Sequence, residues 1–206
     1  MSHRFSEHFK YAAFISYSHH DRKWGEWLEN EVETYKVPKP IVGMPGRDGP
    51  ISKKIGPVCR DRAEFAADPD LRAQIKSSIN QSAYLIVICS PHSAKSEWVN
   101  EEILEFKRLN RDDHILALIV DGEPGAADKL GIDSDLECYP PALKTRTGPD
   151  GKPQPVQLLA ADARKQGDRE KNAKLKIIAG MLGVNFDLLK QRDKERLIKK
   201  SLKIGD

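Results

Sequence analysis

Two short and continuously apolar runs constrain the fold of this chain more than any other feature. Residues 84–89 read YLIVIC and residues 114–120 read HILALIV, and polar turn residues follow each run. A run of this length without polar alternation is typical of a strand that is buried on both faces. Because amphipathic stretches at helical spacing separate these strands, the pattern predicts a parallel sheet covered by helices on both sides.

The remaining elements follow the same alternation. The predicted strands are 11–16, 57–60, 84–89, 114–120 and 156–159, and the predicted helices are 21–35, 69–81, 96–109 and 171–182. Residues 36–57 hold many prolines and glycines and are predicted to be a long loop. Together these elements predict an α/β fold of the flavodoxin-like, doubly wound kind, a mostly parallel five-stranded sheet with helices on both faces.

Length and composition narrow the class of protein. With 206 residues, the chain is long enough for one substantial core and an appendage. No apolar stretch approaches the roughly 18 to 20 residues that cross a bilayer. Residues 1–10 lack the apolar core of a secretory signal. We therefore expect a cytoplasmic protein without a membrane span.

The charge is concentrated at one end of the chain. The formal net charge is +3, and residues 187–206 alone hold seven Lys or Arg against four acids. A nucleic-acid interface across the chain is therefore not favoured. We place one domain at residues 1–185 and a basic C-terminal helix at residues 186–206. This helix is interpreted as solvated, as a linker to a further module, as a subunit contact or as a membrane-surface helix.

The motifs of common nucleotide and metal sites do not occur in this sequence. A GxGxxG after the first strand, a GxxxxGK[ST], an HExxH and a GxSxG are all missing. The three cysteines are odd in number and far apart, which argues against disulfide and zinc frameworks. A two-component receiver would need acids where this chain has Ser18, His19 and Ser90. We therefore expect no metal and no bound cofactor.

Glu102 stands where a carboxylate needs an explanation. It follows Trp98 by four residues, one helical turn, so both side chains lie on one face of the predicted helix. Apolar Val99 and Ile103 flank that face, as in a helix that packs against its domain. The alternative is that Glu102 is a solvated surface acid. The neighbouring Glu101 is offset from it by about 100° around the helix.

Three motifs in this order resemble the conserved boxes of a Toll/interleukin-receptor (TIR) domain. They are FISYS at Phe14–Ser18, RDR at Arg60–Arg62 before an amphipathic helix, and Ser90-Pro91 followed by SEWVNEE at 96–102. The match covers about residues 9–125. In form, the chain is most similar to bacterial TIR proteins, in which further modules often follow.

The resemblance implies an activity and a catalytic residue. Enzymatic TIR domains cleave NAD+ between nicotinamide and ribose with a glutamate four residues after a tryptophan, which implies Glu102 as catalytic residue and Trp98 as pocket wall. One carboxylate suffices, because the pyridinium leaving group departs neutral without a proton, unlike the leaving group of ordinary glycosides. A carboxylate near the ribose stabilises the positive charge that grows at the anomeric carbon.

The resemblance also suggests substrate-binding residues. Ser18 and His19 leave the first strand where ligands bind in such folds. Arg60 and Arg62 are suited to a pyrophosphate, and Leu71 is expected near the nucleotide. Each has an alternative interpretation, which is a solvated turn for the first pair, ion pairs with neighbouring acids for the arginines, and core packing for the leucine.

Two classes of function remain open. The first is an NAD+ glycohydrolase or cyclase that releases nicotinamide and ADP-ribose, or a cyclic or conjugated derivative, for bacterial antiphage immunity. It is expected to act through TIR–TIR self-association and a downstream effector that reads the product. The second is a non-catalytic adaptor that works by TIR–TIR association. The presence of Glu102 favours the enzyme, because scaffolding members need not keep this acid.

Overall fold

A single parallel sheet organises the computed structural model, which describes residues 8–60, 69–156, 158 and 160–202. Its strands are β1 (Tyr11–Ser16), β2 (Val58–Arg60), β3 (Ser82–Cys89), β4 (Ile115–Ile119) and β5 (Ala161–Asp162). Their spatial order is β2-β1-β3-β4-β5, and every neighbouring pair is parallel. This order is that of flavodoxin, so the predicted fold is confirmed.

Helices cover both faces of the sheet. Those in the described ranges are α1 (Arg22–Glu33), α2 (Pro69–Asn80), α3 (Pro91–Ala94), α4 (Glu97–Lys107), α5 (Arg169–Leu182) and α6 (Phe186–Leu202). Helices α1, α5 and α6 contribute to the core on one face, and α2 and α4 to the core on the other. None of these helices combines the length and apolarity that crossing a membrane requires.

Strand β3 lies at the centre of the sheet and explains the apolar run. All eight of its residues are buried, and it pairs with β1 on one side and β4 on the other. Leu85, Val87 and Cys89 face the α2/α4 core, whereas Tyr84, Ile86 and Ile88 face the α1/α5 core. Since both faces meet helices, neither set of alternating side chains is polar.

Two predicted elements differ from the structure. The turn predicted at Ser90–Ser93 contains the short helix α3, because Ser90 and Ser93 form a reciprocal capping box and Pro91 suits the first helical position. The last strand of the sheet is β5 at Ala161–Asp162 rather than 156–159, of which residues 157 and 159 lie outside the described residues. At two residues, β5 is too short to carry an apolar pattern.

The predicted loop at 36–57 is folded onto the domain. It contains a 3-10 turn at Lys39–Ile41 and a hairpin in which Pro45–Gly46 pairs with Gly49–Pro50. Ile41, Ile51 and Ile55 from this loop are fully buried in the main core. Prolines and glycines therefore exclude long helices and strands here but not packing, because the apolar residues between them reach the core.

Helix α6 packs against the domain through its first half. Leu189 and Asp193 are buried, and Asp193 accepts hydrogen bonds from the Tyr35 hydroxyl at 3.2 Å and from the Arg196 guanidinium at 2.5 Å. Further along the helix, Leu202 is 68% exposed. The first half of α6 is thus attached to the core, and the domain boundary at residue 185 and the linker role of 186–206 stay predictions.

Candidate functional site

The strand order places a crevice above the carboxyl ends of β1 and β3. The connection after β1 leads to β2 at one edge of the sheet, and the connection after β3 leads to β4 in the opposite direction. A crevice forms where two neighbouring strands diverge in this way. Gly122, after β4, closes one wall of this region. A Cβ there would lie 2.9 Å from the Pro91 ring and 2.6 Å from the Leu136 carbonyl oxygen, so only glycine permits this approach to α3.

Helix α4 carries Glu102 into this region. Ser96 caps the helix by accepting a hydrogen bond from the Val99 amide at 3.2 Å. Val99, Ile103 and Phe106 are fully buried against the sheet, and Glu102, on the same side, is 3% exposed. The adjacent Glu101 is exposed. The burial of Glu102 rules out the alternative of a solvated surface acid at this position.

Ser16 hydrogen-bonds directly to Glu102. It is the last residue of β1, is fully buried, and donates its hydroxyl hydrogen to the Oε2 atom of Glu102. A buried carboxylate is costly without hydrogen bonds, so this contact both stabilises and orients the group. Ser16 was not among the site residues predicted from the sequence. The available signal was strand alternation, since Ser16 lies two residues after Phe14, which faces the α4 core.

Trp98 and Leu71 lie where α4 and α2 pack against the same core. The Trp98 ring is partly buried in the α2/α4 core and lies 5.4 Å from the guanidinium carbon of Arg72 on α2. Leu71, also on α2, packs partly buried against the same core. Both positions agree with a packing role, and contact of either residue with a substrate stays a prediction.

Ser18 and His19 lie in a cluster with two histidines that the sequence analysis did not select. The Ser18 hydroxyl is 3.3 Å from Nδ1 of His20, and the rings of His19 and His20 are 3.8 Å apart. The His20 ring stacks on His92 of α3 at 4.2 Å with an interplanar angle of 11°. The sequence contains one indication of this cluster, since residues 18–20 follow the carboxyl end of β1 and residues 90–92 follow that of the neighbouring β3.

Asp21 connects the same two segments beneath the histidines. It is 7% exposed, and its Oδ2 atom accepts a hydrogen bond from the Ser90 hydroxyl at 2.5 Å. Burial raises the pKa of Asp21, although the bond from Ser90 and the nearby His92 and His20 act in the opposite direction. Because Ser90 also caps α3, this pair ties the start of α1 to the start of α3 across the crevice.

Arg60 is directed toward α1. Its guanidinium donates hydrogen bonds to Glu29 at 2.9 Å and to the Tyr17 hydroxyl at 2.9 Å. Gly25 makes room for this arrangement, since a Cβ there would lie 2.9 Å from the Tyr17 ring. A phosphate at Arg60 would have to compete with these partners. Its role in substrate binding stays a prediction, and Arg62 lies outside the described residues.

Arg60 and Leu71 line a separate groove. It has a volume of about 400 Å³ and lies between β2, α1 and α2, with Glu29, Cys59, Ile75 and Ser78 among its walls. Neither Glu102 nor the histidines line this groove. The structure therefore divides the predicted site residues into two groups, one at the β1/β3 crevice and one along the edge strand β2.

Within the described part of the chain, no metal-binding cluster is formed and two of the three cysteines are buried. No group of three or more His, Cys, Asp or Glu residues in it is arranged to hold a metal ion. Burial raises the pKa of the Cys89 thiol well above its usual value and that of Cys138 to about 12, which leaves both unsuited to nucleophilic attack.

Comparison with models of known protein families identifies the family of this chain. The TIR domain family model matches residues 13–142. This range is more than half of the chain, and the protein therefore belongs to the TIR domain family, as the three motifs indicated.

Two proteins are similar to parts of this chain. The curated protein NAD(+) hydrolase ApTIR from Actinoplanes sp. is 32% identical over 143 residues, which is 66% of this chain and 19% of that protein. The chain thus spans about a fifth of that relative's length. Among solved structures, the TIR domains of the activated Roq1 resistosome, which recognises the pathogen effector XopQ, match with 17% identity and a TM-score of 0.39, covering 59% of this chain and 64% of that one.

Proposed function

We propose that this protein is an NAD+ glycohydrolase and that Glu102 is its catalytic residue. The observation that carries the proposal is a buried carboxylate one helical turn after a tryptophan, hydrogen-bonded to Ser16 at the crevice where flavodoxin-like folds bind ligands. Similarity to a protein named as an NAD(+) hydrolase supports the choice of substrate.

The reaction needs one carboxylate and no general acid for the leaving group. The bond between nicotinamide and C1′ of the ribose breaks, and its electron pair neutralises the pyridinium ring. The ribose then carries an oxocarbenium-like positive charge, which the Glu102 carboxylate stabilises. Water adds at C1′ and loses a proton, which gives ADP-ribose. Burial strengthens this electrostatic contribution, because less water screens the carboxylate from the developing charge.

Ser16 acts as a positioning residue in this proposal. Its hydroxyl uses one carboxylate oxygen of Glu102 and restricts the rotation of the side chain. A hydrogen bond of this kind also favours the charged form of the carboxyl group, which is the form that stabilises a cation. Trp98 forms a wall of the pocket one turn away, and Ser18, His19, Arg60 and Leu71 are the proposed contacts to the rest of the dinucleotide.

The proposal extends to products and regulation. The cationic centre at C1′ reacts with any nucleophile that reaches it. Water gives linear ADP-ribose, a group of the same molecule gives a cyclic product, and another molecule gives a conjugate. We propose self-association through TIR–TIR contacts as the activating step, bacterial antiphage immunity as the setting, and an effector that reads the product as the partner.

Nicotinamide release by matched variants tests the proposal. The purified chain is incubated with NAD+ at high protein concentration, and the products are resolved by mass. Glu102→Gln is compared with Glu101→Gln, its exposed neighbour, after circular dichroism has shown that both are folded. We expect release by the parent and by Glu101→Gln, and a large loss in Glu102→Gln. Equal rates for both variants would contradict the assignment of Glu102, and no release by the assembled parent would favour the adaptor.

A further inference from the structure

Three imidazole rings form a continuous row at the mouth of the crevice. The ring centroids of His19 and His20 are 3.8 Å apart, and those of His20 and His92 are 4.2 Å apart. His19 and His20 leave β1, and His92 lies on α3 after β3, so the row crosses the switch point of the sheet. All three histidines are exposed, so core packing does not explain their association.

The row does not suit a metal ion. His20 and His92 stack nearly parallel, with an interplanar angle of 11°, so their ring nitrogens lie side by side instead of converging on one point. In the residues that the structure describes, no metal-binding group of three or more His, Cys, Asp or Glu is formed. A different ligand chemistry is needed to explain three imidazoles at this position.

Electrostatics in the row favours an anion. The pKa of His20 is lowered by desolvation and by repulsion from His19 and His92, whereas Asp21 acts in the opposite direction. His20 therefore resists protonation in the absence of a ligand. An anion with two negative charges would offset that repulsion and allow the imidazoles to become imidazolium donors.

The charged groups next to the row have partners of their own. Asp21 lies beneath it and is held by Ser90, and the carboxylate of Asp121, after β4, acts on Asp21 from the far side. Lys95 at the end of α3 pairs with Asp135 at 2.9 Å. At the start of α1, Arg22 pairs with Glu26 at 3.0 Å.

We propose that His19, His20 and His92 form the diphosphate subsite of the crevice and that they take up protons when the pyrophosphate of a dinucleotide binds. This inference rests on the proposed function, because it assigns a part of the same substrate to these residues. It adds His20 and His92 to the site, and it makes the histidine row, rather than Arg60 with its partners Glu29 and Tyr17, the diphosphate contact.

Proton uptake fixes the sign of the pH dependence. If the complex holds more protons than the free protein, affinity rises as the pH falls. Each proton taken up changes the dissociation constant by about tenfold per pH unit within the window where the row titrates. Binding of a ligand without phosphate is independent of this effect.

Calorimetry with ADP-ribose tests the subsite without requiring catalysis. Binding is measured at pH 6.5 and 8.0 in buffers of different ionisation enthalpy, so that the number of protons taken up is obtained directly. Adenosine serves as the ligand without phosphate. The variants are His20→Gln and His92→Gln, and the control is His8→Gln, an exposed histidine that precedes the amino end of β1.

We expect the parent and His8→Gln to bind ADP-ribose several-fold more tightly at pH 6.5 than at pH 8.0, with proton uptake. His20→Gln and His92→Gln should lose most of both effects, and adenosine should show neither. The subsite is wrong if the parent does not bind ADP-ribose, if it binds without proton uptake, or if His20→Gln and His92→Gln behave like His8→Gln. Proton uptake with adenosine would equally overturn it.

The two proposals fail separately. A chain that binds ADP-ribose with histidine-dependent proton uptake but releases no nicotinamide from NAD+ has the subsite without the proposed activity. A chain that releases nicotinamide at a rate unaffected by His20→Gln and His92→Gln, and binds ADP-ribose without proton uptake, has the activity without this subsite.

Discussion

The carboxyl and amino ends of the central strands differ in how deeply polar side chains are buried. In the described part of the chain, eight polar or charged residues are buried, and six of them lie at or just beyond the carboxyl ends of β1 and β3. The six are Ser16, Ser18, Asp21, Ser90, Ser93 and Glu102. Burying such groups costs free energy that hydrogen bonds only partly return.

At the amino ends, polar groups pair closer to the surface and attach the 36–57 loop. The Tyr84 hydroxyl donates to Asp48 at 2.8 Å, His114 lies 3.2 Å from the other oxygen of Asp48, and Arg47 donates to Asp113 at 2.7 Å. The side chain of Asp113 is 67% exposed. The comparison teaches that one end of the sheet uses polar groups to hold a loop, while the other accepts an energetic cost that is typical of functional sites.

The largest expected effect is at the carboxyl end. Glu102→Gln keeps the shape of the side chain but removes its charge, so it should lower kcat for nicotinamide release by about 10²- to 10³-fold or more, the scale of lost electrostatic stabilisation. Steady-state rates at saturating NAD+ measure the change. A loss of less than about threefold would contradict the proposal that the buried polar groups at the carboxyl end of the sheet form the catalytic site.

Ser16→Ala should give the next largest effect. The carboxylate loses a hydrogen bond that orients it and favours its charged form, so kcat should fall by about 10-fold to 100-fold. Ser16→Thr keeps the hydroxyl and should restore most of the rate, which a merely structural defect at this buried position would not allow. An unchanged kcat in Ser16→Ala would argue against a positioning role.

Asp21→Asn should stabilise the protein at neutral pH. Burial raises the pKa of Asp21 in the folded state above that of an exposed aspartate. Stability is therefore lost as the pH rises from the ordinary aspartate value through the raised folded value, and asparagine avoids this loss. We expect a gain in the free energy of unfolding at pH 7, measured with urea, that vanishes below the pH range where exposed aspartates titrate. A loss of stability at pH 7 would show that the carboxylate is better accommodated than its burial indicates.

Asp48→Ala should affect stability and leave catalysis unchanged. The loop at 36–57 loses its hydrogen bonds to Tyr84 and His114, at a cost of about 0.5 to 1.5 kcal/mol. The unfolding midpoint should fall, while kcat and KM measured well below that midpoint should equal those of the parent. A change in kcat would connect the amino end of the sheet to the chemistry and weaken the division between the two ends.

Local patterns predicted most of the fold. Helix bounds came close to those observed, because Leu71, Ile75 and Ile79 in α2 repeat at helical spacing and Gly183 ends α5 in the left-handed conformation. The strands with long apolar runs were also found. The two-residue β5 and the helix α3 were not, since elements this short carry too few residues for a periodic signal.

The candidate site was only partly predictable for the same reason. Glu102 and Trp98 share one helix, so their common face follows from spacing alone. Ser16 is 86 residues from Glu102, and Ser90 is 69 residues from Asp21. No local pattern connects residues at such separations, and the row of His19, His20 and His92 likewise joins segments from two strands.

By itself, the sequence determined the alternation of buried strands and amphipathic helices, the TIR motifs, and the shared helix face of Trp98 and Glu102. Only the tertiary structure decided that β1 pairs with β3, which brings Ser16 to Glu102 and Asp21 to Ser90. It also decided that Arg60 turns toward Glu29. The physical reason is that the spacing of apolar residues indicates which side of a helix or strand is buried. The strand order and the packing of the elements determine which residues that side contacts.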